Sequence, residues 1–114
     1  MNYELKGTVD TNYYIVHIAG DYSTALQFTR EFTFKHGACA QMCKVDFCYT
    51  GGLESGITAR FINYPRFPKD NTEIHSEVLK YARGLAERLC QKSFTVESKI
   101  KTYYYLSDDP LHAK

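Results

Sequence analysis

Four residues at short spacing invite a metal reading: His36, Cys39, Cys43 and Cys48 form the string H-x2-C-x3-C-x4-C. Structural zinc takes four nitrogen or sulfur ligands in a tetrahedron, normally from paired spacings such as C-x2-C. That pairing is missing here. Cys43 and Cys48 also stand an odd number of residues apart on one predicted strand, so they leave it on opposite faces. No metal is assigned. Read as packing, Cys43 and Cys90 are small core residues and Cys39 is a loop thiol.

A cysteine nucleophile needs a neighbouring base and a lowered thiol pKa. Cys48 and His17 share a predicted sheet face, but their spacing sets no hydrogen-bond distance. There is no Ser–His–Asp order, no paired-carboxylate motif and no glycine fingerprint. No catalytic residue and no cofactor are assigned, and whether the chain is an enzyme stays open. Asn63-Tyr64-Pro65-Arg66-Phe67-Pro68 carries more information. Two prolines end a strand and present Arg66 and Phe67 just before a helix N-terminus, where anions are favoured and a guanidinium can grip carboxylate or phosphate at two points. Read as packing, Phe67 pins the loop and Arg66 is solvated.

The elements that hold these residues are a strand–helix–strand unit over residues 55–106 and a weaker copy before it. In the second unit, strand 56–64 precedes a helix over 70–91 and a strand over 94–106. Asp70 and Glu73 have capping-box spacing, and Ile74, Val78, Tyr81, Ala82, Leu85, Ala86 and Leu89 form one apolar stripe. Gly84 marks close packing on the sheet. In the first unit, residues 13–18 read as a central strand that can pair with residues 3–8 as an N-terminal hairpin. Asp21 caps a helix over 22–36 that Gly37 stops. Leu26, Phe28, Phe32 and Phe34 also fit a strand there, so helix and strand compete. Residues 41–50 alternate as a strand, with 51–56 as a glycine-rich hairpin loop.

Strand, helix, strand, strand, helix, strand is the order of a ferredoxin-like sandwich. The expected fold is α+β: one domain over residues 1–106, an antiparallel sheet of four to five strands with two helices on one face, and a tail over 107–114. The uncovered face should carry Tyr13, Ile15 and His17; Met42, Lys44, Asp46 and Cys48; Thr58, Arg60, Ile62 and Tyr64; and Thr95, Glu97, Lys99, Lys101, Tyr103 and Tyr105. A face made only for water carries fewer large apolar groups. Binding is therefore expected through His17, Lys44, Asp46, Arg60, Tyr64, Arg66, Lys101 and Tyr103.

A chain of 114 residues supports one core, and 14 basic against 13 acidic residues give a net charge of +1. That balance disfavours a nucleic-acid partner and attachment to an anionic membrane by charge. Ten Tyr and seven Phe without Trp suit half-buried sheet positions or an interface. Met1-Asn2-Tyr3-Glu4 begins no secretion signal and no apolar run is long enough to span a bilayer, so a cytoplasmic protein with reduced thiols is expected. The strand–helix–strand layout resembles that of tautomerases of the macrophage-inhibitory type, whose base is an N-terminal proline. Asn2 stands there instead, so their activity is not carried over. In size and class the chain resembles small phage-encoded accessory or inhibitor proteins. The reading is a binding module that self-associates or captures a protein partner. The alternative is a small enzyme or small-molecule binder with an anionic ligand near Arg60 and Arg66.

Overall fold

A computed structural model describes residues 1–109. Seven elements follow in order: β1 (Tyr13–Ala19), α1 (Tyr22–His36), β2 (Gln41–Tyr49), β3 (Gly52–Ile62), α2 (Asn71–Arg88), β4 (Ser93–Ser98) and β5 (Thr102–Leu106). The strands form one sheet in the order β2-β3-β1-β4-β5, with every neighbouring pair antiparallel. This is the expected α+β sandwich of ferredoxin-like order, extended by β5 at one edge.

The competition in the first half resolves as a helix. Asp21 accepts a hydrogen bond from the Thr24 backbone N–H at 2.9 Å, and Gly37 closes α1 in the left-handed region at φ 65°. The bond from the Thr24 N–H is the largest cause holding the Asp21 carboxyl below its usual range, and the Thr24 hydroxyl, donating to the same oxygen, adds to it. The second helix starts one residue later than expected, and Asp70 caps it by position without a side-chain hydrogen bond.

The helices bury one face of the sheet. Tyr14, Val16 and Ile18 of β1, Ile57, Ala59 and Phe61 of β3, and Phe94 and Val96 of β4 meet Ile74, Val78, Tyr81, Ala82 and Leu85 of α2. Tyr81 is the centre of this core. Its ring stands edge-on to Phe61 at 5.0 Å and to Phe32 at 5.3 Å, so one side chain joins α1, α2 and β3. Its hydroxyl lies 2.7 Å from Thr29 Oγ1, which donates to the Ala25 carbonyl. Burial pushes the Tyr81 phenol up to about 12. Gly84 marks a close approach, but to α1 and not to the sheet: a Cβ there would stand 2.7 Å from the tip of Phe28.

Several expectations fail where strand register and turns decide the outcome. The loop expected over 51–56 is a tight turn at Thr50–Gly51, and β3 begins at Gly52. Tyr49 therefore pairs with Gly52, and Met42 and Lys44 pair with Ala59 and Ile57 on the helix side. Lys44 and Asp46 are on the opposite face from the one expected. Cys43, Val45 and Phe47 take the uncovered face, with the Phe47 ring lying across Gly56. The strand expected over 94–106 is a hairpin whose turn is clamped by Ser98, which bonds the Lys101 carbonyl through N and Oγ. The reversal changes the parity, so Val96 pairs with Tyr103 and Phe94 with Tyr105, both facing the helices. Residues 1–12 form no strand, so the N-terminal hairpin is absent. Cys43 and Cys90 are exposed, contrary to a core role. The expected tail lies mostly outside the described residues.

Removing only the Tyr81 hydroxyl leaves the buried Thr29 without its cross-helix partner. An unmade buried hydrogen bond costs about 1–2 kcal/mol. Tyr81→Phe is expected to lower unfolding free energy by that amount in urea denaturation, with the slope of the transition unchanged.

Candidate functional site

Two regions carry chemistry. The first is a cleft at the end of the sheet where α1 stops and α2 begins. Gly37, Ala38 and Cys39 after α1 form one wall, and Phe61, Ile62, Asn63 and Tyr64 at the end of β3 form the floor. Phe67 and Lys69 of the proline loop and Ile74 and Glu77 of α2 complete it, enclosing about 150 Å³. That is below the roughly 300–1,000 Å³ of ordinary small-ligand pockets. A neighbouring groove of about 450 Å³ shares Glu77 and continues along α2 past Phe32, His36, Glu73 and Lys80.

The polar groups of the cleft are few and placed by the backbone. Asn63 Oδ1 accepts from the Lys69 backbone N–H at 2.9 Å and fixes the proline loop. Lys69 Nζ then reaches Glu77 Oε2 at 2.7 Å, and the two side chains are only 26% and 16% exposed. Glu77 occupies the flank of the buried α2 stripe, one turn past Ile74. Cys39 Sγ donates to the Tyr64 hydroxyl at 3.4 Å. That contact is the largest cause raising the Tyr64 phenol, with burial adding and Arg60 opposing. Tyr64 is thus a neutral donor at physiological pH. The walls are otherwise apolar.

The second region is the sheet face that no helix covers. His17 Nε2 and Glu97 Oε1 are 2.9 Å apart across β1 and β4, both half-buried. The Arg60 guanidinium lies 5.4 Å from the centre of the Tyr13 ring. These groups share the face with Ile15 and Thr58 as expected, and with Cys43 and Tyr104, which were expected on the helix side.

The remaining expected site residues disperse. Lys44 and Asp46 face the helix side at the β2 edge. Arg66 is exposed over the Phe67 ring at 5.3 Å and does not line the cleft. Lys101 is in the β4–β5 turn, and Tyr103 packs against His75 at 5.4 Å under α2. Only Tyr64 joins the cleft. Glu77 was missed because its helical spacing reads as a solvated face, and Lys69, in the loop before α2, belongs to no periodic pattern that could single it out. Among the described residues no group of three or more His, Cys, Asp or Glu could hold a metal ion. No helix among them is long and apolar enough to cross a membrane.

The Lys69–Glu77 pair is intermediate between exposed pairs, worth under about 1 kcal/mol, and buried ones whose breakage costs about 3–5 kcal/mol. Lys69→Met is expected to cost about 2 kcal/mol at neutral pH. Thermal melts of both proteins at neutral pH check this.

No family model matches the sequence, and no curated protein sequence matches it. Solved structures do. The chain is similar to a phage SAM lyase in the apo state, with a TM-score of 0.71 and 15% identity over 96% of this chain and 98% of the other. It is also similar to a phage SAM lyase in complex with S-methyl-5'-thioadenosine, with a TM-score of 0.68 and 14% identity over 92% of this chain and 98% of the other. The likeness is one of fold, end to end.

Proposed function

We propose that this chain is a small phage-type enzyme that binds S-adenosylmethionine (SAM) in the cleft and releases S-methyl-5'-thioadenosine. The observation that carries the reading is the fold likeness to a phage SAM lyase over nearly the whole of both chains. The composition of the cleft supports it. A largely apolar pocket with one neutral phenol and one partly buried carboxylate, paired with Lys69 through a single oxygen, suits a purine nucleoside. This takes up the small-enzyme alternative over the interaction module, with the ligand in the cleft and not at Arg60 and Arg66.

The chemistry asks little of catalytic side chains. Heterolysis of the sulfonium–carbon bond leaves both electrons on sulfur and converts a cation into a neutral thioether. The carbon fragment closes on its own carboxylate or loses a proton, so no water is added. Charge disappears from sulfur along this path, and surroundings that solvate a cation less well than water favour it. Phe61, Ile62, Phe67 and Ile74 supply such walls. Glu77 accepts from the ribose hydroxyls or the ammonium group, and Tyr64 donates to an adenine nitrogen.

A second reading rests on the uncovered sheet face, where Tyr13, Ile15 and Tyr104 accompany the His17–Glu97 pair. A mixed apolar and charged face of this kind suits self-association or a protein partner. It is compatible with the enzyme reading, since the cleft lies at the sheet's end.

Incubating the protein with SAM and separating products by reversed-phase chromatography tests the main reading. Thioadenosine should accumulate in proportion to protein, with no oxygen-18 incorporated into the carbon fragment from labelled water. Glu77→Gln should slow release by roughly 10–100-fold, the loss of one charge-assisted hydrogen bond. Absence of product, together with no thermal stabilisation by thioadenosine, would sink the reading.

A further inference from the structure

We propose that residues 3–7 of one copy pair, as a parallel sixth strand, with the free edge of β2 in a second copy. The inference is independent of the ligand reading. Strand β2 ends the sheet, so one row of its backbone N–H and C=O groups faces outward without a strand partner. At the other end of the chain, residues 1–12 carry no helix or strand. Asn12 is held at the base by the Asn63 N–H, 3.0 Å from its carbonyl, and the Lys99 ammonium bonds the Thr11 carbonyl. Beyond that anchor Tyr3 and Leu5 are 86% and 83% exposed, alternating with Glu4 and Lys6.

Charge fixes the direction of the added strand. Lys44 and Asp46 lie on the helix side of the β2 edge, and among the described residues neither makes an ion pair. A parallel strand with Tyr3 beside Cys43 and Leu5 beside Val45 sets both apolar side chains on the uncovered face. The same register brings Glu4 to Lys44 and Lys6 to Asp46. An antiparallel strand can satisfy only one of those two charges. When centred on the same residues it opposes Glu4 to Asp46 and Lys6 to Lys44, which is repulsive.

The arm cannot reach its own β2 in the favourable direction. Tyr13 pairs with Ile62 and Gln41 pairs with Arg60, so β1 and β2 begin at the same end of the sheet. An arm folding from the start of β1 onto its own β2 runs back toward that end, antiparallel. A second copy is free of this constraint. The local Lys6–Glu4 contact that must be exchanged is between groups 82% and 72% exposed and opposes the change little.

The test places a cysteine on the arm. Tyr3→Cys under mild oxidation should give a disulfide-linked dimer on non-reducing gels, above the wild-type background from its four exposed thiols. The dimer should vanish when Cys43→Ser is added and persist with Cys48→Ser. By sedimentation, Lys44→Glu should weaken association at least tenfold and Glu4→Lys in the same chain should restore it. Deleting residues 1–8 should leave a folded monomer. Overturning results are a wild type that stays monomeric at high concentration, or a cross-link within one chain. A cross-link from Gly7→Cys to Cys43, the antiparallel register, would also overturn the proposal. So would association that survives the deletion, which would point to the uncovered sheet face.

Discussion

Burial of one tyrosine ring between both helices and the sheet organises this molecule. Tyr81 meets Phe28 and Phe32 on α1 and Phe61 on β3, and its hydroxyl is tied to Thr29. A buried aromatic of this size contributes through both area and geometry, and its polar tip must be satisfied. With Tyr81 in place, α1 and α2 are held at a fixed separation, which Gly84 permits by admitting the Phe28 ring. The end of α1 and the start of α2 then flank the last residues of β3, and the cleft opens between them.

The cleft is therefore a consequence of core packing and owes little to loop design. Phe61 belongs both to the core around Tyr81 and to the cleft floor, so core and site share a wall. Asn63 and the Lys69–Glu77 pair add rigidity where the proline loop would otherwise be free. Under the proposed reading, such a site, with few polar groups, solvates a cation less well than water and so favours its discharge.

Much of the fold was legible because local chemistry and global packing agree. Asp21 and Gly37 mark both ends of α1, and those caps outweighed the strand-like alternation of Leu26, Phe28, Phe32 and Phe34. The α2 stripe named the core residues in advance. Sheet-face assignments failed on β2, whose more apolar set lies on the uncovered face, and on β5, which a turn reverses. Because side chains alternate with a period of two, one residue more or less in a turn reverses every later position. Ser98-Lys99-Ile100-Lys101 holds no glycine, proline, asparagine or aspartate, so the reversal that turns Tyr103 toward His75 left little trace in the sequence. At the β2–β3 turn the glycines were visible, but their number concealed how short the connection is. Glu77 was hidden differently: a carboxylate on a helix flank looks solvated until the partner that approaches it is known.

Heteronuclear NMR of labelled protein titrated with S-methyl-5'-thioadenosine tests the central claim most directly, because it locates the ligand. The account requires shifts concentrated on Cys39, Tyr64, Phe67, Lys69 and Glu77, saturating with one ligand per chain. Shifts centred on His17, Arg60 and Glu97, or none at millimolar ligand, would contradict it.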